Sequence, residues 1–199
     1  MKTLLSLALV TILGLSTPVY ARSSWENQLI HKKTGVYTYH KHRYQLKDYP
    51  YYALLDINHD GTKEVLLSNQ KEDKNGYMNV ADQPTEVLLL AKVNGKTKIL
   101  KRFTYGNLFY FSYRPSQKAL GFWTRMSGQT NSKVYTFDGK KLKTKYTLDY
   151  YSPNHDEKTD GMNKTDHYYL NNKRVNKKIF TQSFNKYVSD RYMMHFTKR

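Results

Sequence analysis

The chain has 199 residues, no cysteine, and a formal net charge of +17 that arises from 33 Lys and Arg against 16 Asp and Glu. The lack of cysteine excludes a disulfide framework and a cysteine nucleophile, so the fold must rest on its hydrophobic core. A positive charge of this size favours anionic partners such as wall phosphopolymers, acidic polysaccharide, anionic lipid or extracellular nucleic acid, although it also suits a surface that is simply well solvated.

Residues 1–21 read MKTLLSLALVTILGLSTPVYA, with one lysine, a short apolar run, a proline and a small residue at the end. This order predicts a secretory signal peptide that is cleaved after Ala21. A membrane anchor is the alternative, but the apolar run is shorter than the ~20 residues that a spanning helix needs. We therefore expect a secreted or surface-associated protein with one mature domain, residues 22–199.

The first mature residues predict a short helix, because Ser24 can cap it and three apolar side chains share one side. Residues 36–50, VYTYHKHRYQLKDYP, predict a strand or an extended linker that ends at a proline. In a strand, His40 and His42 would lie on one face, which is a geometry for two metal-binding imidazoles. No third ligand is identifiable, so these two residues do not define a zinc site.

The segment YALLDINHDGTKEVLLSN, residues 52–69, carries oxygen donors at alternate positions between two apolar runs. The five donors are Asp56, Asn58, Asp60, Thr62 and Glu64. Calcium binds about six to eight hard oxygens in a flexible cage, and alternate residues of a curled loop can direct their side chains at one centre. A glycine at the sixth position permits the sharp turn, and Thr62 would bind through its backbone carbonyl. The spacing predicts a structural calcium site that ties two strands together.

Two features set this loop apart from an EF-hand. Leu67 occupies the position at which an EF-hand carries its bidentate glutamate, and the flanking segments look like strands rather than helices. Glu64 would therefore have to close the cage from the start of the outgoing strand. The alternative interpretation is that Asp, Asn and Gly are turn formers whose side chains close a hairpin by local hydrogen bonds, without any metal.

The loop resembles the Asp-x-Asp/Asn-x-Asp-Gly-x-x-Asp/Glu strand-loop-strand sites of integrin-type FG-GAP repeats and their bacterial relatives. More closely, YALLDINHDGTKEVLL is similar to the signature of small secreted Gram-positive proteins of uncharacterised function, which carry one such hairpin followed by a meander. Proteins of this kind often end in a strand, a turn and a helix, as residues 168–187 do here. The resemblance implies the fold, export and a calcium site, and it implies hardly any activity.

Turn dipeptides separate the remaining β-rich segments. Asn94-Gly95 lies between TEVLLLAKV and KTKILKRFTY, and Asp138-Gly139 lies between SKVYTF and KKLKTKYTLDYY. Both dipeptides suit two-residue type I′ hairpin turns. Between the hairpins, Pro115 separates two aromatic strands, NLFYFSY and KALGFWTRM. These segments predict an antiparallel β-meander.

The polar segment from Ser152 to His167 lacks apolar periodicity and predicts a long exposed loop. After it, Asn176 can cap a helix on which apolar residues recur at helical spacing. These residues are Phe180, Phe184, Tyr187, Val188 and Tyr192. The pattern favours an amphipathic helix that packs on the sheet, and a helix on a membrane surface is the alternative. The predicted fold class is thus α+β: an antiparallel β-meander with a short N-terminal helix and a C-terminal amphipathic helix.

Other residues offer weaker functional patterns. The polar loop could form a second cation cluster or an acid-base pair, although a solvated loop is the more common outcome. Its residues are His155, Asp156, Glu157 and Asp160, with Asp166 and His167. The acidic loop from Asp156 to Asp166 would be the site of a hydrolase or inhibitor that acts on wall material. Ser127 lacks the preceding glycine of a nucleophile elbow. Exposed tyrosines beside lysines can stack on sugars or single-stranded bases. The candidates are Tyr110, Tyr113, Tyr135, Tyr146, Tyr150 and Tyr151. No helix-turn-helix, RNP-like or zinc-finger pattern indicates a nucleic-acid module.

We therefore expect a secreted, non-enzymatic protein that calcium stabilises and whose basic surface associates with anionic polymers of the cell envelope. A polysaccharide or wall-glycan binding module that uses exposed tyrosines is the first alternative, and a hydrolase or inhibitor is the second. Binding that survives high salt would favour the first alternative, because salt screens charge contacts but does not weaken stacking.

Overall fold

The computed structural model describes residues 24–78, 84–105, 108–152 and 166–199. The predicted signal peptide and most of the polar segment between residues 152 and 167 lie outside these ranges. The helices are α1 (Trp25–His31) and α2 (Lys177–Tyr187). The strands are β1 (Val36–Tyr39), β2 (His42–Gln45), β3 (Tyr51–Leu55), β4 (Glu64–Ser68), β5 (Thr85–Val93), β6 (Lys96–Tyr105), β7 (Leu108–Arg114), β8 (Ala119–Met126), β9 (Gln129–Phe137), β10 (Leu142–Tyr151), β11 (His167–Leu170), β12 (Lys173–Val175) and β13 (Thr197–Lys198).

The strands form two larger antiparallel sheets and one hairpin. The five-stranded sheet has the order β13-β3-β4-β5-β6, the six-stranded sheet has the order β12-β11-β10-β9-β8-β7, and β1 pairs with β2. Consecutive strands are neighbours within each large sheet, so the predicted meander is present twice. The fold is mainly antiparallel β with a short N-terminal helix and a C-terminal helix, and the predicted α+β class is confirmed only in this looser sense.

The two predicted hairpin turns both occur, but only one is of the predicted type. Asn94 and Gly95 have φ values of 51° and 75°, as a type I′ turn between β5 and β6 requires. In the second turn only Gly139 has a positive φ, 82°. The Asp138 carboxylate instead accepts two backbone N–H groups further along the turn, at 3.0 and 2.7 Å. The prediction of a two-residue turn there is wrong, because this side-chain bonding stabilises a longer loop.

Three hydrophobic clusters hold four layers together. The central cluster joins the facing sides of the two large sheets, and its aromatic part is Phe103, Phe109, Phe111, Phe122 and Tyr135. A second cluster lies on the outer side of the five-stranded sheet, under α1 and the β1-β2 hairpin. The third lies on the outer side of the six-stranded sheet, under α2. Both sheets are covered on both faces. Their strands therefore carry apolar residues at consecutive positions, and not only at every second position.

The predicted N-terminal helix is confirmed, with the Ser24 side chain accepting a backbone N–H of its first turn at 3.4 Å. The segment after it forms the β1-β2 hairpin, in which His40 lies in the turn at φ 47°. His40 and His42 therefore do not share one strand face, and that interpretation is wrong. Arg199 fastens this layer, because its guanidinium donates to backbone carbonyls of both α1 and the turn after β2, including those of Ile30 at 3.1 Å and Leu46 at 3.0 Å.

The predicted C-terminal helix is confirmed, and the Asn176 side chain caps it by accepting the Ile179 N–H at 2.9 Å. Phe180 and Tyr187 are buried against the six-stranded sheet, as expected for a helix that packs on the sheet. The helix ends at Tyr187, so Tyr192 lies beyond it in a 3₁₀ turn rather than on the helical stripe. Across the described ranges, no helix is both long enough and apolar enough to cross a membrane.

The end of α2 is held by polar side chains of strand β7. Ser112 Oγ donates to the carbonyl of Tyr187 at 3.1 Å, and the Tyr110 hydroxyl donates to the carbonyl of Val188 at 2.7 Å. Both bonds satisfy carbonyl groups that a helix end leaves without an intrahelical partner. Gly121 on β8 lies directly beneath this contact, where the absence of a side chain lets the two backbones approach.

Candidate functional site

The loop between β3 and β4 carries the five predicted calcium ligands. Leu55 pairs with Glu64 at the end of the hairpin, so residues 56–63 form the connection and Glu64 opens the outgoing strand, as predicted. His59 and Gly61 have φ values of 59° and 84°, and this left-handed backbone curls the loop on itself. The Tyr113 hydroxyl, from the opposite sheet, donates to the carbonyl of Asp56 and fixes the start of the loop.

The side chains of the loop converge on its interior. The Asp56 carboxylate accepts the N–H groups of Asp60 at 3.2 Å and Gly61 at 3.1 Å. The Asp60 carboxylate accepts the Thr62 N–H at 2.7 Å and the side-chain amide of Asn58 at 2.8 Å. These are the local hydrogen bonds expected of a turn that closes without metal. The structure thus brings together Asp56, Asn58 and Asp60, and it uses Thr62 through its backbone rather than its side chain.

Glu64 is the buried member of the set, with 2% of its surface exposed. Its Oε2 accepts the Ile57 N–H at 2.7 Å, and this bond favours the ionised form. Burial, with a smaller contribution from the negative charges of Asp60 and Asp56, nevertheless raises the pKa of Glu64 to about 7. Ion pairs between described residues involve none of these three carboxylates. The loop therefore concentrates negative charge with which no cation of the described ranges forms an ion pair.

Three carboxylates alone do not form a metal cage in this conformation. Within the ranges that the structure covers, no three His, Cys, Asp or Glu side chains are placed so that they could hold a metal ion between them. A calcium ion in the loop would need the amide oxygen of Asn58 and backbone carbonyls beside the carboxylates. Glu64 would also have to turn from its bond to Ile57. The residue types fit calcium, because all of them supply hard oxygen ligands.

The structure also places several of the predicted stacking tyrosines and one residue of the acidic loop. Tyr110 and Tyr135 are buried in the hydrophobic clusters at 3% exposure, so they cannot stack on a ligand at the surface. Asp156 and Asp160 lie outside the described residues. Asp166 accepts the hydroxyl groups of Tyr150 and Tyr168, each at 3.0 Å, and so has a structural role. The two tyrosine rings stack with their centroids 5.3 Å apart.

The sequence analysis missed two lysines that face the space between the sheets, Lys101 and Lys133. Their neighbourhood forms a cavity of about 170 Å³. The signal for Lys133 was present, since it alternates with Tyr135 and Phe137 on the inward face of β9. The signal for Lys101 was hidden, because a bulge between Leu89 and Leu90 shifts the register of the β5-β6 pair.

Comparison with known proteins returned no match: no family model, no curated protein and no solved structure resembles the chain significantly. The resemblance to small secreted Gram-positive proteins with an FG-GAP-like loop therefore stays a prediction from the residues of the loop. The function of the protein must therefore be inferred from the geometry and charge of this chain alone.

Proposed function

We propose that this is a secreted, non-enzymatic protein whose β3-β4 loop binds a stabilising calcium ion and whose basic surface associates with anionic polymers of the cell envelope. The observation that carries the calcium part is the buried Glu64 carboxyl beside Asp56 and Asp60, without a protein cation among the described residues. Bringing like charges together in a partly buried loop destabilises the fold, and a divalent cation would remove that cost. Calcium in this role ties β3 to β4 and takes no part in catalysis.

The envelope part of the proposal rests on uncompensated positive charge. Of the lysines and arginines in the described part of the chain, only Arg102 and Lys143 form ion pairs, with Glu86 and Asp138. Most of the other basic groups are available to an external polyanion, the exceptions being Arg199, which is bonded to backbone carbonyls, and the half-buried Lys101. Loss of Lys2 with the signal peptide leaves 32 Lys and Arg against 16 Asp and Glu, and the resulting net charge of +16 attracts a polyanion over a Debye length of about 10 Å at 0.1 M salt. Wall phosphopolymers and acidic polysaccharides offer repeated negative charges of this kind.

Calcium should raise the unfolding midpoint of residues 22–199 by about 1 to 6 °C in about 1 mM calcium compared with chelator. This range follows from a dissociation constant on the order of 10⁻⁴ to 10⁻³ M, typical of extracellular sites, and from the few degrees that each kcal/mol moves a chain of this size. A thermal scan followed by circular dichroism measures the shift. Glu64→Gln keeps the acceptor for the Ile57 N–H, and Asp60→Asn keeps one of its two acceptor oxygens. Each substitution removes one negative charge, and both variants should lose most of the calcium-induced shift.

The pH dependence of the calcium effect provides an internal check. The raised pKa of Glu64 means that its contribution to the stability of the calcium-free fold is full below about pH 4.5 and is lost as the pH rises through about 7. Calcium requires the ionised form, so its stabilising effect should grow over the same interval. Asp73→Asn, which alters a turn carboxylate beyond the other end of β4, is the matched control and should leave the calcium shift unchanged. An equal shift with magnesium, or no shift in the unmodified chain, would refute the calcium site.

Association with the envelope should be governed by charge. We expect the fraction of protein that sediments with purified Gram-positive cell walls to fall on the order of tenfold or more between low salt and about 0.5 M salt, because polyanion binding weakens steeply with ionic strength. Tyr150→Ala should leave this binding unchanged.

An aromatic cluster beside a cavity supports the alternative function, a glycan-binding module. Tyr150 and Tyr168 stack beside Phe180 and Phe184, next to a cavity of about 220 Å³ on the α2 side of the six-stranded sheet. Sugar rings pack on aromatic faces of this kind. If binding to the walls persists at high salt and is lost in Tyr150→Ala, the protein is a glycan-binding module and the charge-based proposal is wrong.

A further inference from the structure

A cavity of about 170 Å³ opens between the two large sheets, where the edge strand β6 faces β8 and β9. Aromatic rings of the central cluster, Phe103, Phe122 and Tyr135, line its inner part. Lys101 and Lys133 line its outer part. The space is several times the ~30 Å³ that one water molecule occupies in the liquid, so it can hold a small organic group.

Strand register directs both lysines into this cavity. Lys101 pairs with Leu89, and Lys133 pairs with Phe122. Leu89 and Phe122 both belong to the central cluster. Residues that pair directly across antiparallel strands point to the same face of the sheet, so both lysines face the opposite sheet. Lys101 is half-buried and Lys133 is exposed, so a dissolved ligand can reach both ammonium groups.

Neither lysine forms an ion pair with a described residue. The Lys101 ammonium lies 5.6 Å from the ring centroid of Phe103 and 5.4 Å from that of Tyr135, so its contacts are cation–π contacts. Burial lowers the pKa of Lys101, and the positive charge of Lys133 lowers it further. Asp149, which pairs with Asn131, is an acidic group that interacts with Lys133. Burial raises the pKa of Asp149 and the positive charge of Lys133 lowers it, so Asp149 offsets part of the charge of Lys133.

We propose that this cavity binds a phosphate group carried by a small polyol or sugar, with Lys101 and Lys133 as its charge partners. A phosphate monoester carries up to about two negative charges, which matches two ammonium groups better than a carboxylate does. Asn131, which alternates with Lys133 on β9 and also lines the cavity, offers a neutral hydrogen-bonding side chain. The carbon part of the ligand would pack on Phe122. The choice of an envelope phosphopolymer as the source of this group rests on the proposed function, whereas the cavity itself does not.

Titration of residues 22–199 with inorganic phosphate and with glycerol phosphate, followed by NMR shifts of backbone amides, tests the assignment. We expect saturable binding with glycerol phosphate tighter than inorganic phosphate, and shifts centred on β6, β8 and β9. Lys101→Gln and Lys133→Gln should each weaken binding about tenfold or more, since each removes a charged hydrogen-bond partner. Lys178→Gln removes the same charge from an exposed position on α2 and should leave the affinity unchanged.

Three results would overturn the assignment. They are the absence of saturable binding, equal weakening by Lys178→Gln, and binding to phosphopolymer that leaves Lys101→Gln and Lys133→Gln unaffected. If the two cavity variants instead form higher oligomers, measured by light scattering, and the unmodified chain binds no phosphate, the lysines protect the edge strand β6 from pairing with another sheet. Calcium stabilisation and wall binding are measured on the same variants. If only the phosphate assignment is wrong, the calcium stabilisation and the wall binding are still observed. If only the proposed function is wrong, those two effects are absent and the cavity still binds phosphate.

Discussion

Replacement of Gly121 by alanine should lower the free energy of unfolding by about 3 kcal/mol or more, because the new methyl group meets backbone rather than a movable side chain. A Cβ at this position would lie 2.5 Å from the carbonyl oxygen of Tyr187, 3.3 Å from Cα of Val188, and closer still to Ser112 Oγ. The end of α2 must then move away from β8. That movement breaks the bond from Ser112 to Tyr187 and exposes part of the cluster under the helix. Urea unfolding measures the loss.

Gly95→Ala separates this steric effect from the general cost of removing a glycine. Gly95 has a φ of 75° and no atom within 4 Å of the position that a Cβ would take, so its substitution costs only backbone strain, about 1 to 2 kcal/mol. Gly121 lies outside the left-handed region, and its cost comes from packing alone. If Gly121→Ala were no more destabilising than Gly95→Ala, the close approach of α2 to β8 would be wrong.

Replacement of Arg199 by alanine should cost about 3 kcal/mol and should loosen α1 and the turn after β2 before the sheets unfold. The guanidinium donates to four backbone carbonyls, and the alanine variant leaves these acceptors without their donor. The acceptors are Ile30 at 3.1 Å, Leu46 at 3.0 Å, Tyr49 at 3.1 Å, and Lys32. Urea unfolding measures the decrease in the free energy of unfolding, and hydrogen exchange of residues 25–50 shows which segment is loosened.

Two further variants test this role of Arg199. Arg199→Lys keeps the positive charge but loses the planar fork that reaches several carbonyls at once, so it should recover only a small part of the stability. Arg43→Ala removes an arginine at an exposed position on β2 and should change stability by less than about 0.5 kcal/mol. Unchanged hydrogen exchange over residues 25–50 in Arg199→Ala would show that Arg199 does not fasten this layer.

The elements that could be predicted are those whose signal is local. Asn94-Gly95 forms the predicted turn because its two positive φ values depend on the two residues themselves. Ser24 and Asn176 cap their helices because capping needs only a side chain and the following N–H groups. The prediction of a two-residue turn at Asp138-Gly139 was wrong because the Asp138 carboxylate can also accept the backbone N–H groups that follow it, and these bonds stabilise a longer loop.

The candidate site was predictable in its residues but not in its electrostatics. The alternation from Asp56 to Glu64 placed oxygen donors around one loop, and the structure brings most of them together. The burial of Glu64 could not be read from the loop, because it depends on the sheet that packs beside it. Its pKa of about 7 is a consequence of that packing.

The sequence by itself determined most strands of the two large sheets, the two helices with their caps, one turn type and the composition of the candidate calcium loop, because each depends on residues within a few positions of one another. It did not determine the β1-β2 hairpin or β13. The tertiary structure alone decided that the meander divides into two packed sheets and that Lys101 faces inward. It also decided that α2 ends over Gly121 and that Arg199 fastens α1. These features depend on register, on a bulge in the β5-β6 pair and on contacts between residues far apart in the chain, for which a single sequence carries no local signal.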